Sequence, residues 1–149
     1  MEESQSEIQQ RIARQNRDRT IRERNIFILT QKVQEYRQQF GQPPGELEDL
    51  VRRELLPALP ADPEEGETYY YNPSTEEIVA YNEALEKQQQ LLQGLQAVIE
   101  RFHEDHGYYP EELEELVSVG VLIQVPPDPL GGAFGIDRWT HQVHVAPPE

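Results

Sequence analysis

The sequence predicts an α+β protein made of two tandem repeats, each with a long helix, a short helix and a small antiparallel β-hairpin. Two observations lead to this prediction. Residues 66 positions apart match without a gap through many glycine and proline positions, and self-similarity at a fixed spacing is typical of repeated structural units. Within each copy, a run of apolar residues at helical spacing stops at a glycine. Short segments separated by turn residues follow it, as expected for a short helix and a hairpin.

The match is strongest at residues that shape the backbone. The paired positions are Gly41 with Gly107, Pro44 with Pro110, Asp62 with Asp128, and Pro63 with Pro129. We therefore predict repeat 1 over residues 26–82 and repeat 2 over residues 83–149. A polar helical extension is predicted ahead of them, over residues 1–25.

Each repeat is expected to open with a long helix that buries one narrow apolar stripe. The stripe residues lie three or four positions apart, which places them on one helical face. They are Ile26, Leu29, Val33, Tyr36 and Phe40 in repeat 1, and Leu92, Leu95, Ile99 and Phe102 in repeat 2. Gly41 and Gly107 are predicted to end these helices, because glycine adopts the left-handed cap conformation at little steric cost.

Capping residues predict where the long helices begin. Ser4 and Glu7 have the spacing of a capping box, and no glycine or proline interrupts the chain from there to Gly41. We therefore expect one helix of roughly 35 residues that joins the extension to repeat 1. Asn82 is predicted to cap the second long helix, over residues 83–106.

The remaining elements are short. Pro44 and Pro110 are predicted at the first turn of the short helices, where the missing N–H group of proline is harmless. The Asp-Pro pairs at 62–63 and 128–129 are predicted to form turns in which the aspartate oxygen accepts backbone N–H groups. Hairpin strands are expected at 68–71 and 78–81 in repeat 1, and at 133–136 and 143–145 in repeat 2.

The composition excludes several classes of protein. The 149 residues include 28 Asp and Glu against 13 Lys and Arg, which gives a formal net charge of −15, and there is no cysteine. A disulfide scaffold, a cysteine-ligated zinc finger and a thiol nucleophile are therefore excluded. An overall field that repels phosphate argues against nucleic acid as a partner. No apolar run approaches the roughly 20 residues of a transmembrane helix.

One stretch departs from this acidity. Residues 11–24 carry six arginines against two acidic residues. We interpret the stretch as a solvated helical face with both charge signs, which is the usual meaning of such a run. Contact with acidic lipid headgroups or with an acidic partner is the alternative interpretation.

Histidines and carboxylates are the candidates for chemistry. His103 and His106 lie one helical turn apart and could share a metal ion, but the sequence places no third ligand beside them. We favour a cap for His106, with a hydrogen bond to a carbonyl at the helix end. His141 and His144 are predicted to point to opposite faces of a strand. We expect no catalytic residue, no metal site and no cofactor.

Aromatic residues are the candidates for partner binding. Trp139 lies at the predicted tip of the second hairpin, where exposure would indicate a contact with a protein partner. The alternative is that its ring folds back over the short helix or the neighbouring repeat. Tyr70 is a second candidate, because a strand through three consecutive tyrosines must point at least one ring outward.

The motifs of repeat 2 follow a distinctive order. They are Phe102-His-Glu-Asp-His-Gly107-Tyr-Tyr109-Pro110, then Leu113 and Leu116-Val117, then Pro126-Pro-Asp128-Pro129-Leu-Gly131-Gly132. This order resembles the periplasmic domain of the major pseudopilin of type II secretion systems, a type IV pilin-like family. Repeat 1 carries a weaker copy, with Pro43-Pro44 and Asp62-Pro63-Glu-Glu-Gly66 at the corresponding places. Leu130 and Glu64 stand where the family has tryptophan, and the family's acidic calcium loop has no counterpart.

The resemblance implies a non-enzymatic structural or scaffolding component of type II secretion or type IV pilus-like machinery, acting in protein transport. It implies protein partners, among them other pilin-like or secretion components, and contact with the membrane only through an anchor. We expect a periplasmic protein held in the inner membrane in full length, with Met1 added for expression and the anchor joining the helix at 4–25. The alternative is a soluble protein-binding adaptor that reuses the pilin-like fold, cytoplasmic if Met1 is the native start.

Overall fold

The computed structural model describes residues 4–147, and these residues form a mixed structure of helices and two small antiparallel sheets. The elements in chain order are α1 (Gln5–Phe40), α2 (Glu48–Arg52), β1 (Tyr69–Asn72), β2 (Glu77–Ala80), α3 (Tyr81–His106), α4 (Leu113–Ser118), β3 (Ala133–Ile136) and β4 (Val143–Ala146). The α+β prediction is therefore confirmed. The expectation about Met1 lies outside the described residues.

The chain divides into two compact units. Unit 1 comprises Met1–Tyr81 and unit 2 comprises Asn82–Glu149. Each unit contains, in the same order, a long helix, a short helix and a two-stranded sheet. Helix α1 passes through residue 25 without interruption, and no helix among residues 4–147 combines the length and the apolar character needed to cross a membrane.

Local capping chemistry sets both ends of α1. The side chain of Ser4 accepts a hydrogen bond from the Glu7 N–H group at 3.2 Å, and the Glu7 carboxylate accepts one from the Ser4 N–H group at 3.3 Å. At the other end, Gly41 has a φ of 81° and its N–H group donates to the Arg37 carbonyl at 2.8 Å. The predicted capping box, length and end of this helix are confirmed.

The core of unit 1 is small and begins late in α1. None of the residues from 5 to 24 is buried. Its buried apolar residues are Leu29, Val33, Leu47, Leu50 and Ile78. The predicted stripe is right at Leu29 and Val33, but Phe40 is exposed, and the guanidinium of Arg53 lies 4.8 Å from the centre of its ring.

The short helices begin later than the prolines predict. Helix α2 starts at Glu48 and α4 at Leu113, so the placement of Pro44 and Pro110 in their first turns is wrong. Both prolines are fully buried, and the carbonyl of Pro44 accepts a hydrogen bond from the Tyr71 hydroxyl at 2.8 Å. Burial of the proline rings therefore outweighs the preference of proline for a helical first turn.

Asp62 forms the predicted turn and anchors α1 to it. Its carboxylate accepts a hydrogen bond from the Glu64 N–H group at 2.9 Å. The guanidinium of Arg22 donates two more, at 2.8 and 2.9 Å, and the Tyr69 hydroxyl donates a fourth at 2.8 Å. The Arg22 guanidinium is the main reason that the pKa of Asp62 falls to about 2.

Asp128 forms the corresponding turn in unit 2 with a neutral partner. Its carboxylate accepts hydrogen bonds from the N–H groups of Leu130 and Gly132, both at 3.0 Å. The side-chain amide of Gln88, on α3, donates a further bond at 2.9 Å. Both Asp-Pro turns are thus confirmed, and each is tied to the long helix of its own unit.

Both hairpins are antiparallel and form close to their predicted positions. In unit 1 the register runs from Tyr69 opposite Ala80, and in unit 2 from Ala133 opposite Ala146. The second strands begin 66 positions apart, but the first strands begin 64 apart. The gapless match is therefore wrong across the first strand, because unit 2 has a shorter approach to its hairpin and a longer turn.

Helix α3 carries the core of unit 2. It begins at Tyr81, so Asn82 lies within the helix and its predicted capping role is wrong. The buried residues of the core are Leu95, Ile99, Phe102, Leu113, Leu116 and Phe134. Gly107 ends the helix with a φ of 79°, as predicted, and its N–H group donates to the His103 carbonyl at 2.8 Å.

Two glycines near or in α3 provide a matched test of this cap. Gly107→Ala is expected to lower the free energy of unfolding by about 1 kcal/mol, because alanine is strained at positive φ. Gly94 lies in the middle of α3, where a methyl group added to its Cα atom would meet only open space. Gly94→Ala should therefore raise the free energy of unfolding by roughly 0.5–1 kcal/mol. Urea unfolding of both variants measures the difference, and equal effects would contradict the assigned cap.

Candidate functional site

The turn between β3 and β4 is held by hydrogen bonds around Asp137. The Asp137 carboxylate accepts from the N–H groups of Thr140 at 2.9 Å and Trp139 at 2.8 Å. These two bonds lower the pKa of Asp137. The backbone carbonyl of Asp137 accepts a hydrogen bond from the His141 N–H group at 2.8 Å. The backbone N–H group of Asp137 donates one to the Gln142 carbonyl at 2.9 Å. The backbone of this turn, which we call the hairpin tip (residues 137–142), is therefore fixed.

Trp139 projects from the hairpin tip into solvent. The residue is 90% exposed, the second-highest value among the large apolar residues in the described part of the chain. The alternative in which the ring folds back over the short helix of its own unit is therefore wrong. A tryptophan held on a fixed turn presents a large apolar surface at little cost in conformational entropy, and such residues often dominate protein–protein binding energy.

A stack of three rings supports the base of the hairpin tip. Tyr109 lies between His103 and His141, with ring centres 4.0 and 4.2 Å apart and planes tilted by 10° and 5°. The side chain of Gln96 also connects α3 to the turn, since it donates to the His141 carbonyl at 3.3 Å and accepts from the Val143 N–H group at 2.8 Å. These contacts fix the hairpin tip to α3.

A second group of rings surrounds the end of α3. His106 stacks on Phe102 with ring centres 4.2 Å apart, and Tyr108 meets Phe102 edge-on at 5.3 Å. The Nδ1 atom of His106 lies 3.1 Å from the Phe102 carbonyl, so the predicted hydrogen bond at the helix end is confirmed. No group of three His, Asp or Glu side chains suited to a metal ion occurs among the described residues.

A surface cleft separates the end of α3 from the hairpin tip. Its volume is about 550 Å³. Aromatic rings and charged groups share its walls, which are formed by His103, Gly107, Tyr108, Tyr109, Pro110, Glu111, Arg138, Trp139 and His141. We call this space the tip cleft. Tyr108 is 50% exposed, so two accessible aromatic rings, Tyr108 and Trp139, border it.

Sequence reasoning found Trp139 but missed the rest of the cleft. The prediction that His141 lies on a strand with His144 is wrong, because His141 is in the turn with a φ of 60° and only His144 lies on β4. The stack was not predicted because His141 is far along the chain from Tyr109. The one local signal was the pair of tyrosines directly after Gly107.

Tyr70, the second candidate, lies in unit 1 and does not line the tip cleft. Its neighbours Tyr69 and Tyr71 point inward, where they donate hydrogen bonds to Asp62 and to the Pro44 carbonyl, both at 2.8 Å. Burial raises the pKa of each of these two tyrosines to about 12. Tyr70 is half-buried, and its ring centre lies 6.4 Å from that of Tyr81.

Comparison with known proteins adds no relative. No protein-family model, curated protein or solved structure matches this chain. The resemblance to pseudopilins therefore stays a prediction that rests on the motifs between Phe102 and Gly132.

Proposed function

We propose that this protein is a non-enzymatic scaffolding component that binds protein partners through the hairpin tip of unit 2. The observation that carries the proposal is the 90% exposure of Trp139 on a turn whose backbone is fixed by Asp137. A fixed turn loses little conformational freedom on binding, so burial of the indole contributes more to affinity. The stack beneath the turn supports the same interpretation.

We propose further that the chain is a tandem pseudopilin-like head acting in type II secretion or type IV pilus-like machinery. The order of motifs around Gly107 and Asp128 supports this role. The common order of elements in the two units supports a duplication. In this proposal the full-length protein is anchored in the inner membrane and the described units lie in the periplasm.

The DNA sequence upstream of the Met1 codon tests the membrane anchor. We expect it to encode about 20 apolar residues preceded by a short basic leader, as an inner-membrane helix requires. A stop codon followed by a ribosome-binding site would contradict the anchored form. The soluble adaptor would then be the better proposal, with the same hairpin tip as its binding surface.

Photo-crosslinking in cells of the source organism tests the hairpin tip itself. Trp139 is replaced by the photoreactive residue benzoylphenylalanine, and Thr75, an exposed residue in the turn of the other hairpin, is replaced in a matched control. We expect a discrete protein adduct from position 139 and none from position 75. Adducts from both positions, or from neither, would contradict a partner site at the tip.

A stability measurement completes this test. Trp139→Ala should change the free energy of unfolding by less than about 0.5 kcal/mol, because the side chain is exposed and buries little area in the free protein. Thermal unfolding of the variant measures the effect. A large loss of stability would mean that the ring packs against the fold, which contradicts its role as a free binding surface.

A further inference from the structure

The tip cleft has the walls of a groove that binds extended, proline-containing segments. The rings of Tyr108 and Trp139 border it, and Tyr109 and Pro110 also line it. Aromatic-lined grooves of this kind recognise polyproline II helices, whose rings stack on the aromatic faces. Such segments are extended before they bind, so the entropic cost of association is small.

One arginine supplies a positive charge at the cleft. Arg138 is the only Lys or Arg that follows Arg101 in the sequence, and it lies on the rim of the cleft beside Trp139, where it is exposed. No described residue forms an ion pair with it within 4 Å. Its guanidinium is therefore available to form a bidentate pair of hydrogen bonds with a carboxylate.

Glu111, which lines two clefts together with Arg138, limits how much negative charge a ligand can carry. Glu111 lines the same cleft, and its N–H group is already occupied by the Glu115 carboxylate at 3.1 Å. A highly anionic ligand would meet repulsion there, as like charges close together destabilise a complex. The walls together favour a ligand with one carboxylate on the Arg138 side and apolar rings elsewhere.

We propose that the tip cleft binds an extended, proline-containing segment of a protein partner, with one carboxylate of that segment held by Arg138. This proposal rests on the proposed function, since it specifies the chemistry of the partner that the hairpin tip binds. Trp139 and Tyr108 hold the proline rings, and Arg138 sets the register of the segment.

Three synthetic peptides test the proposal on the full chain. Each is an acetylated heptapeptide with prolines on both sides of a central residue, which is glutamate, glutamine or lysine. Trp139 is the only tryptophan, so its fluorescence reports binding at this cleft alone. We expect saturable binding of the glutamate peptide, with the glutamine peptide weaker by on the order of tenfold and the lysine peptide weaker still, as expected for loss of a charge-assisted pair.

Variants separate the two parts of the recognition. Arg138→Gln should remove the difference between the glutamate and glutamine peptides, whereas Arg101→Gln, on an exposed arginine of the same unit, should preserve it. Tyr108→Ala should weaken all three peptides, because it removes one stacking surface. Circular dichroism of each variant shows that it is folded.

Three outcomes would overturn the proposal: no saturable change with any peptide at millimolar concentration, equal affinity for the three peptides, or binding of an uncharged oligosaccharide in place of peptide. The first two leave the proposed function intact if crosslinking at position 139 still captures a protein. Failure of that crosslinking is the separate result that contradicts the proposed function.

Discussion

Replacing Asp62 with alanine is expected to lower the free energy of unfolding by about 3 kcal/mol, because it breaks a buried ion pair. The Asp62 side chain has no solvent exposure and Arg22 has only 15%. Without the carboxylate, the Arg22 guanidinium loses two hydrogen bonds at a site where little water can replace them, while its bond to the exposed Glu64 at 3.0 Å remains. The Tyr69 hydroxyl loses its acceptor at the same time, and urea unfolding measures the combined loss.

The same residue predicts a pH dependence with a definite sign. The pKa of Asp62 is lowered from 3.8 to about 2 in the folded protein, so folding favours its charged form. The resulting stabilisation is complete above the unfolded pKa of 3.8 and is lost as pH falls through about 2. Linkage gives a contribution of about 2 kcal/mol. Asp62→Asn should lack this contribution, so its difference from the native protein should shrink between about pH 4 and about pH 2.

Glu64→Ala provides the matched control, since Glu64 binds the same arginine from a side chain that is 63% exposed. Exposed ion pairs contribute little, so we expect a loss below about 0.5 kcal/mol. Equal losses from the Asp62 and Glu64 variants would contradict the special role of the buried carboxylate. A loss at Asp62 that does not change between about pH 7 and about pH 2 would contradict its electrostatic origin.

Phe102→Ala is expected to cost about 4 kcal/mol, the usual result of removing a large side chain from a packed core. Phe102 is 2% exposed, belongs to the core of unit 2 and also supports the rings of His106 and Tyr108. Hydrogen exchange of the backbone amides should show the largest loss of protection in unit 2, because the residues of this core all belong to that unit.

Tyr36→Ala is the matched control for this prediction. Tyr36 lies 66 positions before Phe102 and is only partly buried beside the core of unit 1, so its removal leaves a smaller cavity. We expect a cost below that of Phe102→Ala and a loss of protection centred on unit 1. A larger cost at Tyr36 would show that partial burial is a poor guide to packing in this protein.

The parts of the fold that were predictable from the sequence are those that local interactions decide. The capping box of Ser4, the glycine caps at Gly41 and Gly107, and the two Asp-Pro turns each involve residues within a few positions of one another. The predicted ends of the hairpin strands agree with the observed ends to within about one residue for the same reason. Runs of β-branched and aromatic residues on either side of turn residues indicate where each strand begins and ends.

The errors came from tertiary packing. Pro44 and Pro110 precede the short helices in the sequence, and their rings are buried in the interior of the protein. The first strands of the two hairpins are shifted by two residues relative to the 66-residue spacing of the repeats. The sequence alignment does not reveal this shift, because the matched glycines and prolines keep the 66-residue spacing. At the candidate site, the exposure of Trp139 followed from its place in a turn, but the stack on Tyr109 required His141 to return from a distant part of the chain.

The lack of core contacts in the first part of α1 affects how easily proteases cleave this segment. Residues 5–20 contribute nothing to a core, and a helix of this length is marginally stable in water when it stands alone. The segment therefore opens and recloses at a low cost in free energy while the two cores stay intact. Its open form exposes several arginines to trypsin-like proteases, whereas Arg22 is held by Asp62. The rate at which such proteases cleave this end of the helix therefore depends on the fraction of time for which another molecule covers it.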